Sequence, residues 1–254
     1  MPYTVIIVED EDLIRNEIEH CTPWEQLGLQ VIATAADGPS GAKLINLHNP
    51  DIVITDIRIP GRDGLEMLKS CSVDHAIILS GHSDFNYMRS AIKLGVFDYL
   101  LKPFDDEELI QALASLVEKL VSEEKEMASL GNHRSESWMI DLPEHVGNHI
   151  VDSAISMVTQ RFAECIGLRE IADSLCLSES HLSRLFKDQT GINFLQYLQA
   201  YRVNRSIELL HDPSMNISMI CHRCGFPSPG YFSKIFRRFI GSSPSQFRDS
   251  NPNH

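Results

Sequence analysis

Five polar side chains stand at the ends of short apolar runs, and their types suit one kind of chemistry. Glu9 and Asp10 follow Thr4–Val8, Asp56 follows Ile52–Thr55, Ser80 follows Ala76–Leu79, and Lys102 follows Asp98–Leu101. Three carboxylates brought together repel and need a cation. Oxygen-only ligands suit Mg²⁺, which binds through a few carboxylates, waters and a phosphate oxygen. A lysine and a hydroxyl beside them can hold the remaining oxygens of a phosphoryl group. Phosphoryl transfer asks for little beyond positioning and charge neutralisation, and an aspartate can form an acyl phosphate. Each residue alone has a plainer explanation. Asp10 or Asp12 suits a helix N-cap, and Lys102 before Pro103 suits a surface turn. Five such residues in one sequence pattern carry the chemical reading, with Asp56 as phosphoryl acceptor.

The elements that would gather them follow from periodicity. Five apolar runs, Thr4–Val8, Gln30–Ala35, Ile52–Thr55, Ala76–Leu79 and Asp98–Leu101, alternate with amphipathic stretches. Those stretches are Asp12–His20, Pro39–His48, Gly64–Ser70, Phe85–Leu94 and Asp106–Val121. Short apolar runs bounded by turns read as buried parallel strands. Five β-α units predict a doubly wound, five-stranded parallel α/β sheet with helices on both faces. In such sheets ligands lie outside the carboxyl ends of the strands, where all five polar residues fall.

Residues 3 to about 121 resemble the receiver domain of two-component response regulators, a flavodoxin-like fold. The matching pieces are Val8-Glu9-Asp10-Glu11, Asp51-Ile-Val-Ile-Thr-Asp56-Ile-Arg-Ile-Pro60, Asp63-Gly64, Leu79-Ser80-Gly81 and Phe97-Asp-Tyr-Leu-Leu-Lys-Pro103. The resemblance implies that Asp56 is the phosphoacceptor. Glu9, Asp10 and Asp56 would bind Mg²⁺ with the backbone carbonyl of Arg58, and Lys102 would contact the phosphoryl group. Ser80 and Tyr99 would be the switch pair. Two departures are mild: Glu9 stands where Asp is common, and Ser80 where Thr is frequent. Gly81-His-Ser-Asp-Phe85 resembles receivers joined to AraC-type output domains. Tyr99 could equally be an ordinary packed strand aromatic.

The second half repeats itself. Ser178-x2-His181-Leu-Ser-Arg-Leu-Phe-Lys187-x3-Gly191 matches Ser228-x2-Tyr231-Phe-Ser-Lys-Ile-Phe-Arg237-x3-Gly241 at an offset of 50. Short helical patterns, Leu168–Leu175 and Ile217–Cys224, precede the two copies. Each copy reads as helix, turn, capped second helix and stop glycine, which is helix-turn-helix organisation. Leu182, Leu185 and Phe186, then Phe232, Ile235, Phe236 and Phe239, would be buried. Ser180, Ser183, Arg184 and Lys187, then Ser233, Lys234, Arg237 and Arg238, would face out as a polar, basic surface fit for a major groove. Phe194–Leu210, with Arg202 and Arg205, would connect the copies. Residues about 149–249 resemble the AraC-type DNA-binding domain. That resemblance rests on Ile171-Ala172-x4-Leu177-Ser178, His181–Lys187 with Thr190-Gly191, and Phe194-x2-Tyr197-Leu198. It continues in Gly225-Phe226-x4-Tyr231-Phe232-x3-Phe236-Arg237 and Gly241-x2-Pro244-x2-Phe247-Arg248. It implies two recognition helices, 180–187 and 230–237. Pro229 and Gly230 depart from residues that often touch DNA there.

Charge supports a division. Residues 1–130 hold 10 Lys+Arg and 23 Asp+Glu, net −13, whereas residues 131–254 hold 12 of each. Within 178–248 there are 9 basic and 4 acidic residues, net +5, which fits a nucleic-acid partner. The expected domains are 1–121 and 146–254, joined by a linker over 122–145. In that linker Gly131–Ser137 reads as loop, and Trp138-Met-Ile-Asp-Leu-Pro143 has no assignment. No apolar run approaches the ~20 residues of a membrane span, and Tyr3–Val8 is too short for a signal sequence, so a cytoplasmic protein with no membrane partner is expected. Six scattered cysteines fit reduced thiols. Cys221 and Cys224 share a helical face that needs small apolar residues, and one CxxC is a weak zinc signal.

The function that follows is a phosphorylation-switched transcription regulator, not an enzyme. Its expected partners are a sensor histidine kinase, double-stranded DNA and RNA polymerase, with a homodimer forming on phosphorylation. An Asp-based phosphohydrolase would usually carry a second aspartate two residues after the nucleophile, where Arg58 stands. A metal or redox sensor would work through Cys221 and Cys224.

Overall fold

Strands buried on both faces must be apolar at nearly every position, and the central runs Thr4–Val8, Ile52–Thr55 and Ala76–Leu79 come close to this, whereas the two edge runs keep exposed positions. The computed structural model describes residues 2–71, 73–81, 85–132 and 138–250. The chain divides into two units, Met1–Val121 and Ser122–His254. The first contains β1 (Tyr3–Val8), α1 (Asp12–Cys21), β2 (Leu29–Ala35), α2 (Gly38–His48) and β3 (Ile52–Asp56). It continues with α3 (Gly64–Ser70), β4 (Ala76–Ser80), α4 (Phe85–Leu94), β5 (Asp98–Leu101) and α5 (Asp106–Asn132). All pairings are parallel, in the order β2-β1-β3-β4-β5.

The period-2 alternation of a strand decides which residue meets which helix layer. Val5, Ile7, Ile52, Ile54, Ile77 and Leu79 pack with Ile18 of α1 and with Leu109, Leu113, Leu116 and Leu120 of α5. Their neighbours Ile6, Val8, Val53 and Ile78 pack with Ile45, Leu65, Met67, Leu68 and Ala91 of α2, α3 and α4. Helix starts follow capping chemistry. Asp37 accepts from Ser40 N at 2.7 Å, and Asp63 accepts from Glu66 N at 2.7 Å.

The second unit begins inside α5 and is otherwise helical: α6 (His149–Arg161), α7 (Leu168–Ser174), α8 (Glu179–Thr190), α9 (Phe194–Leu210), α10 (Ile217–Arg223), α11 (Pro229–Ile240) and α12 (Pro244–Ser250). Pairs α7–α8 and α10–α11 are the two repeats. Ser178 and Ser228 cap α8 and α11, and Gly191 and Gly241 end them at φ 78° and 87°, a left-handed turn that glycine adopts without cost. Helix α9 is shared. Its first half (Phe194, Tyr197, Leu198) enters the core around α8, and its second half (Ala200, Val203, Ile207, Leu210) enters the core around α11.

Three particulars differ from or add to the sequence expectations. First, α5 continues beyond Val121 to Asn132, so Gly131 and Asn132 are helical; residues 133–137 of the expected loop lie outside the described residues. Met127 is buried in the core of the second unit, and that burial holds the extra turns. Second, the unassigned segment after Trp138 docks on α9. The Ile140 N–H donates to Asn204 Oδ1 and the Asn204 amide donates to Ile140 O, both at 2.8 Å, and Tyr197 Oη donates to Pro143 O at 2.8 Å. Third, Leu185 is only half buried, while Leu182 and Phe186 are fully covered.

Among the described residues no helix is long and apolar enough to cross a membrane.

Candidate functional site

The carboxyl ends of β1, β3 and β5 bring four of the predicted side chains into one cluster. Asp56 ends β3 and is 7% exposed, and Glu9 follows β1 and is wholly buried. Lys102, following β5, reaches both. Its Nζ lies 2.6 Å from Asp56 Oδ2 and 2.8 and 2.7 Å from the two Glu9 oxygens. Asp10 is exposed, and its carboxylate joins those of Glu9 and Asp56 with ligand atoms all within 4.8 Å of one another. The other Asp56 oxygen, Oδ1, accepts from the backbone N–H of Arg58 at 2.9 Å. Both oxygens of Asp56 are therefore held, which fixes the plane of its carboxylate. The Arg58 side chain is exposed and lies over the Tyr87 ring at 5.9 Å.

Local structure explains why these groups stay put. The Lys102 N–H donates to Ser80 O at 2.8 Å, tying the end of β5 to β4. Thr55 Oγ1 donates to Asp56 O at 2.9 Å, and the Gly64 N–H donates to Ile57 O at 2.8 Å. Gly64 sits so close to β3 that a Cβ there would lie 2.1 Å from Asp56 O. Only glycine lets α3 start against the acceptor strand. The motif Asp63-Gly64 was visible in the sequence; the reason for its glycine was not.

Burial sets the electrostatics. Desolvation pushes the Glu9 carboxyl above its ordinary range, against the lowering pull of Lys102. Burial alone would lower the Lys102 ammonium, but its hydrogen bonds to Asp56 and Glu9 outweigh this and hold it above the ordinary lysine value. One buried cation is thus shared by two buried carboxylates. The donor set fits a hard divalent cation: three carboxylates, oxygen only, close together and partly open at Asp10.

Ser80 ends β4 and is 3% exposed. Tyr99 lies on β5 opposite Ile78 and packs, half buried, against the helix layer of α2, α3 and α4. Residues His82 to Asp84 of the loop that follows lie outside the described residues.

In the second unit Ser180, Ser183, Arg184 and Lys187 are all exposed on α8. On α11 Arg237 is exposed, while Ser233 and Lys234 are half buried. Arg238 differs from the expectation that it faces out. Its side chain is 14% exposed, and its Nε lies 4.0 Å from Glu124 Oε1 of the α5 end. Arg202, on α9, is also covered. It donates from Nε to Phe162 O at 2.8 Å and from Nη2 to Glu164 O at 2.9 Å. Gly225 meets the same loop, since a Cβ there would lie 2.7 Å from Phe162 O. Arg202 and Gly225 thus hold the loop between α6 and α7 against α9 and the end of α10. The sequence flagged Arg202 only as a basic residue on the connecting helix. Cys221 and Cys224 are fully buried in the core around α11, as the packing reading expects. Burial pushes their thiols up to about 11 and about 12.

A parallel sheet with this carboxylate–lysine cluster at its carboxyl edge, followed by paired helix-turn-helix units, defines a class: phosphorylation-controlled regulators with a DNA-binding output. The family descriptions and a full-length relative agree, and solved structures of single domains are also similar. The family description "Response regulator receiver domain" matches residues 5–114, and "Helix-turn-helix domain" matches residues 171–250. The transcriptional regulatory protein HptR of Staphylococcus aureus (strain N315) is 32% identical over 251 residues, covering 96% of this chain and 98% of its own. The receiver domain of AraT, a response regulator from Geobacillus stearothermophilus, is 35% identical at a TM-score of 0.46, covering 49% of this chain and 99% of that one. The C-terminal domain of AraT is 30% identical at a TM-score of 0.41, covering 42% and 89%. The chain belongs to the two-component response regulators that join a receiver to an AraC-type helix-turn-helix domain, and it acts as a transcription factor.

Proposed function

We propose that Asp56 accepts a phosphoryl group from a sensor histidine kinase and that this controls promoter binding by the second unit. The observation that carries the reading is Lys102 Nζ seated between Asp56 and the buried Glu9, with Asp10 beside them. In the transfer, an Asp56 oxygen forms a bond to phosphorus as the P–N bond of the phosphohistidine breaks, and the imidazole keeps that electron pair. Glu9, Asp10 and Asp56, with the Arg58 carbonyl, would hold Mg²⁺, which supplies positive charge to the phosphoryl oxygens when bound. Lys102 holds a further oxygen. Ser80 turns toward the new acceptor, and Tyr99 moves into the space it leaves, a two-state element biased by charge.

Residues 1–121 form the receiver, 122–145 the join and 146–254 the DNA-binding domain. Ser180, Ser183, Arg184 and Lys187 of α8 and Ser233, Lys234 and Arg237 of α11 face DNA, and Arg238 joins them once Glu124 releases it. A phosphorylated homodimer on repeated half-sites, contact with RNA polymerase, a cytoplasmic location and the lack of a turnover activity complete the reading.

The test is labelling by acetyl phosphate with Mg²⁺. Wild-type protein takes up one phosphoryl group and Asp56→Asn takes up none. Wild-type labelling of Asp56→Asn refutes the assignment.

A further inference from the structure

The end of α5 carries the acidic run Glu123-Glu124-Lys125-Glu126, and from Ser122 onward it is part of the second unit. Its carboxylates lie against basic side chains of both recognition-type helices. Met127, 5% exposed, anchors the run in the same core as Phe232, Ile235 and Phe236. From that anchor Glu126 reaches side chains of α8 and α9. Its Oε1 lies 3.3 Å from Lys187 Nζ on α8, and its Oε2 accepts from Gln196 Nε2 at 3.2 Å. Gln196 is buried, and its Oε1 accepts from Asn193 N as half of the capping box that starts α9. Gln196 is therefore not free to turn away, and Glu126 is held where it meets Lys187. Two residues earlier, Glu124 meets Arg238 of α11.

Lys187 is the last member of the exposed face that begins at Ser180 and includes Arg184. An ammonium neutralised by a carboxylate contributes little to a DNA phosphate, because binding draws its free energy from replacing counterions along the duplex.

We propose that the acidic end of α5 is a built-in competitor for the DNA backbone: Glu126 and Glu124 occupy Lys187 and Arg238 in the free protein, and duplex DNA must displace them. This rests on the reading that α8 and α11 face DNA. The α5 end thereby sets a threshold for DNA binding within the second unit.

The experiment measures the affinity of the full chain for a fluorescent random-sequence DNA duplex across a salt series. The double variant Glu124→Gln/Glu126→Gln keeps the side-chain shapes and the Met127 anchor. At low salt it should bind about three- to tenfold tighter than wild type, the range expected for two partly exposed ion pairs. The advantage should shrink as salt screens the pairs. Glu107→Gln/Glu118→Gln makes the same charge change at exposed positions nearer the start of α5 and should gain less than half as much. Equal tightening in both double variants, or none in the first, overturns the proposal. Arg184→Ala leaves the α5 pairs intact and reports on the DNA face itself. If Arg184→Ala weakens binding while Glu124→Gln/Glu126→Gln changes nothing, the DNA face stands and the competition is refuted. If Arg184→Ala binds as wild type does, the DNA face is wrong and the competitor falls with it.

Discussion

Replacing Gly64 by alanine tests how tightly α3 fixes the acceptor. A Cβ at this position would lie 2.1 Å from the carbonyl oxygen of Asp56, 3.0 Å from Thr55 Oγ1 and 3.1 Å from the Asp56 carbonyl carbon. An ordinary carbon–oxygen contact is about 3.3 Å, so α3 and β3 must separate by roughly 1 Å. The closest clash is with backbone, and rotamer changes cannot relieve it. Overpacking of a well-packed interior costs about 1–3 kcal/mol, and this position belongs at the upper end. A loss of about 3 kcal/mol in a unit of this size lowers the melting temperature by on the order of 10 °C. The functional effect should be larger. A misplacement of about 1 Å at a reacting group costs about 100-fold in rate, and the shifted atoms are those of Asp56. The assay is the initial rate of acetyl phosphate labelling with Mg²⁺, run beside thermal unfolding. Gly81 provides the comparison. It follows β4 at the same edge of the sheet, and a Cβ there meets nothing within 4 Å. Gly81→Ala should melt within about 2 °C of wild type, as changes that create no clash usually do. If Gly64→Ala labels and melts like wild type, the close approach of α3 to β3 is not what positions Asp56.

Three further outcomes follow from the same physics. Lys102→Met leaves Glu9 and Asp56, with side chains 0% and 10% exposed, facing each other without their cation, so urea unfolding near neutral pH should show a loss of about 3–5 kcal/mol. That loss has a sign in pH. Glu9 already sits above its ordinary 4.5 through burial, and removing Lys102 removes what lowers it. A carboxyl raised in the folded state adds stability below its unfolded pKa and loses it as pH rises through its folded pKa. The variant should therefore be more stable at about pH 5 than at about pH 8, and the opposite slope would refute the pairing. Arg202→Met removes the donors to Phe162 O and Glu164 O. It should cost the second unit about 3 kcal/mol, since each lost bond involves a charged donor, and calorimetry of the full chain would read it. Finally, thiols pushed up to about 11 and about 12 are almost wholly protonated at physiological pH. Native alkylation followed by mass spectrometry should modify the exposed Cys21, Cys165 and Cys176 while sparing Cys221 and Cys224. Rapid native labelling of Cys221 or Cys224 would revive a redox role.

Much of the protein is written in local pattern. The three central strands follow from apolar runs, because a strand covered on both faces has little room for polar side chains, and the two edge strands follow from apolar stretches in the same alternation with helices. The helix-turn-helix pairs follow from an offset of 50 that repeats caps, buried positions and stop glycines together. Asp56, Glu9, Asp10 and Lys102 were legible because a parallel sheet sends every strand's carboxyl end to one edge, so position in each unit predicts proximity in space. Tertiary structure decided what depends on distant partners. No periodicity shows that Glu9 is fully buried, or that one lysine serves both it and Asp56. The extension of α5 to Asn132 is held by Met127 entering a core built largely from residues more than seventy positions later. Arg202 and Arg238 look like Arg184 in sequence, a basic residue on a helix. One instead holds two backbone carbonyls and another meets Glu124, because burial and partners are properties of the packed chain. Charge and spacing determined which residues had chemistry available to them, and only packing decided which of those groups face solvent and which are already taken.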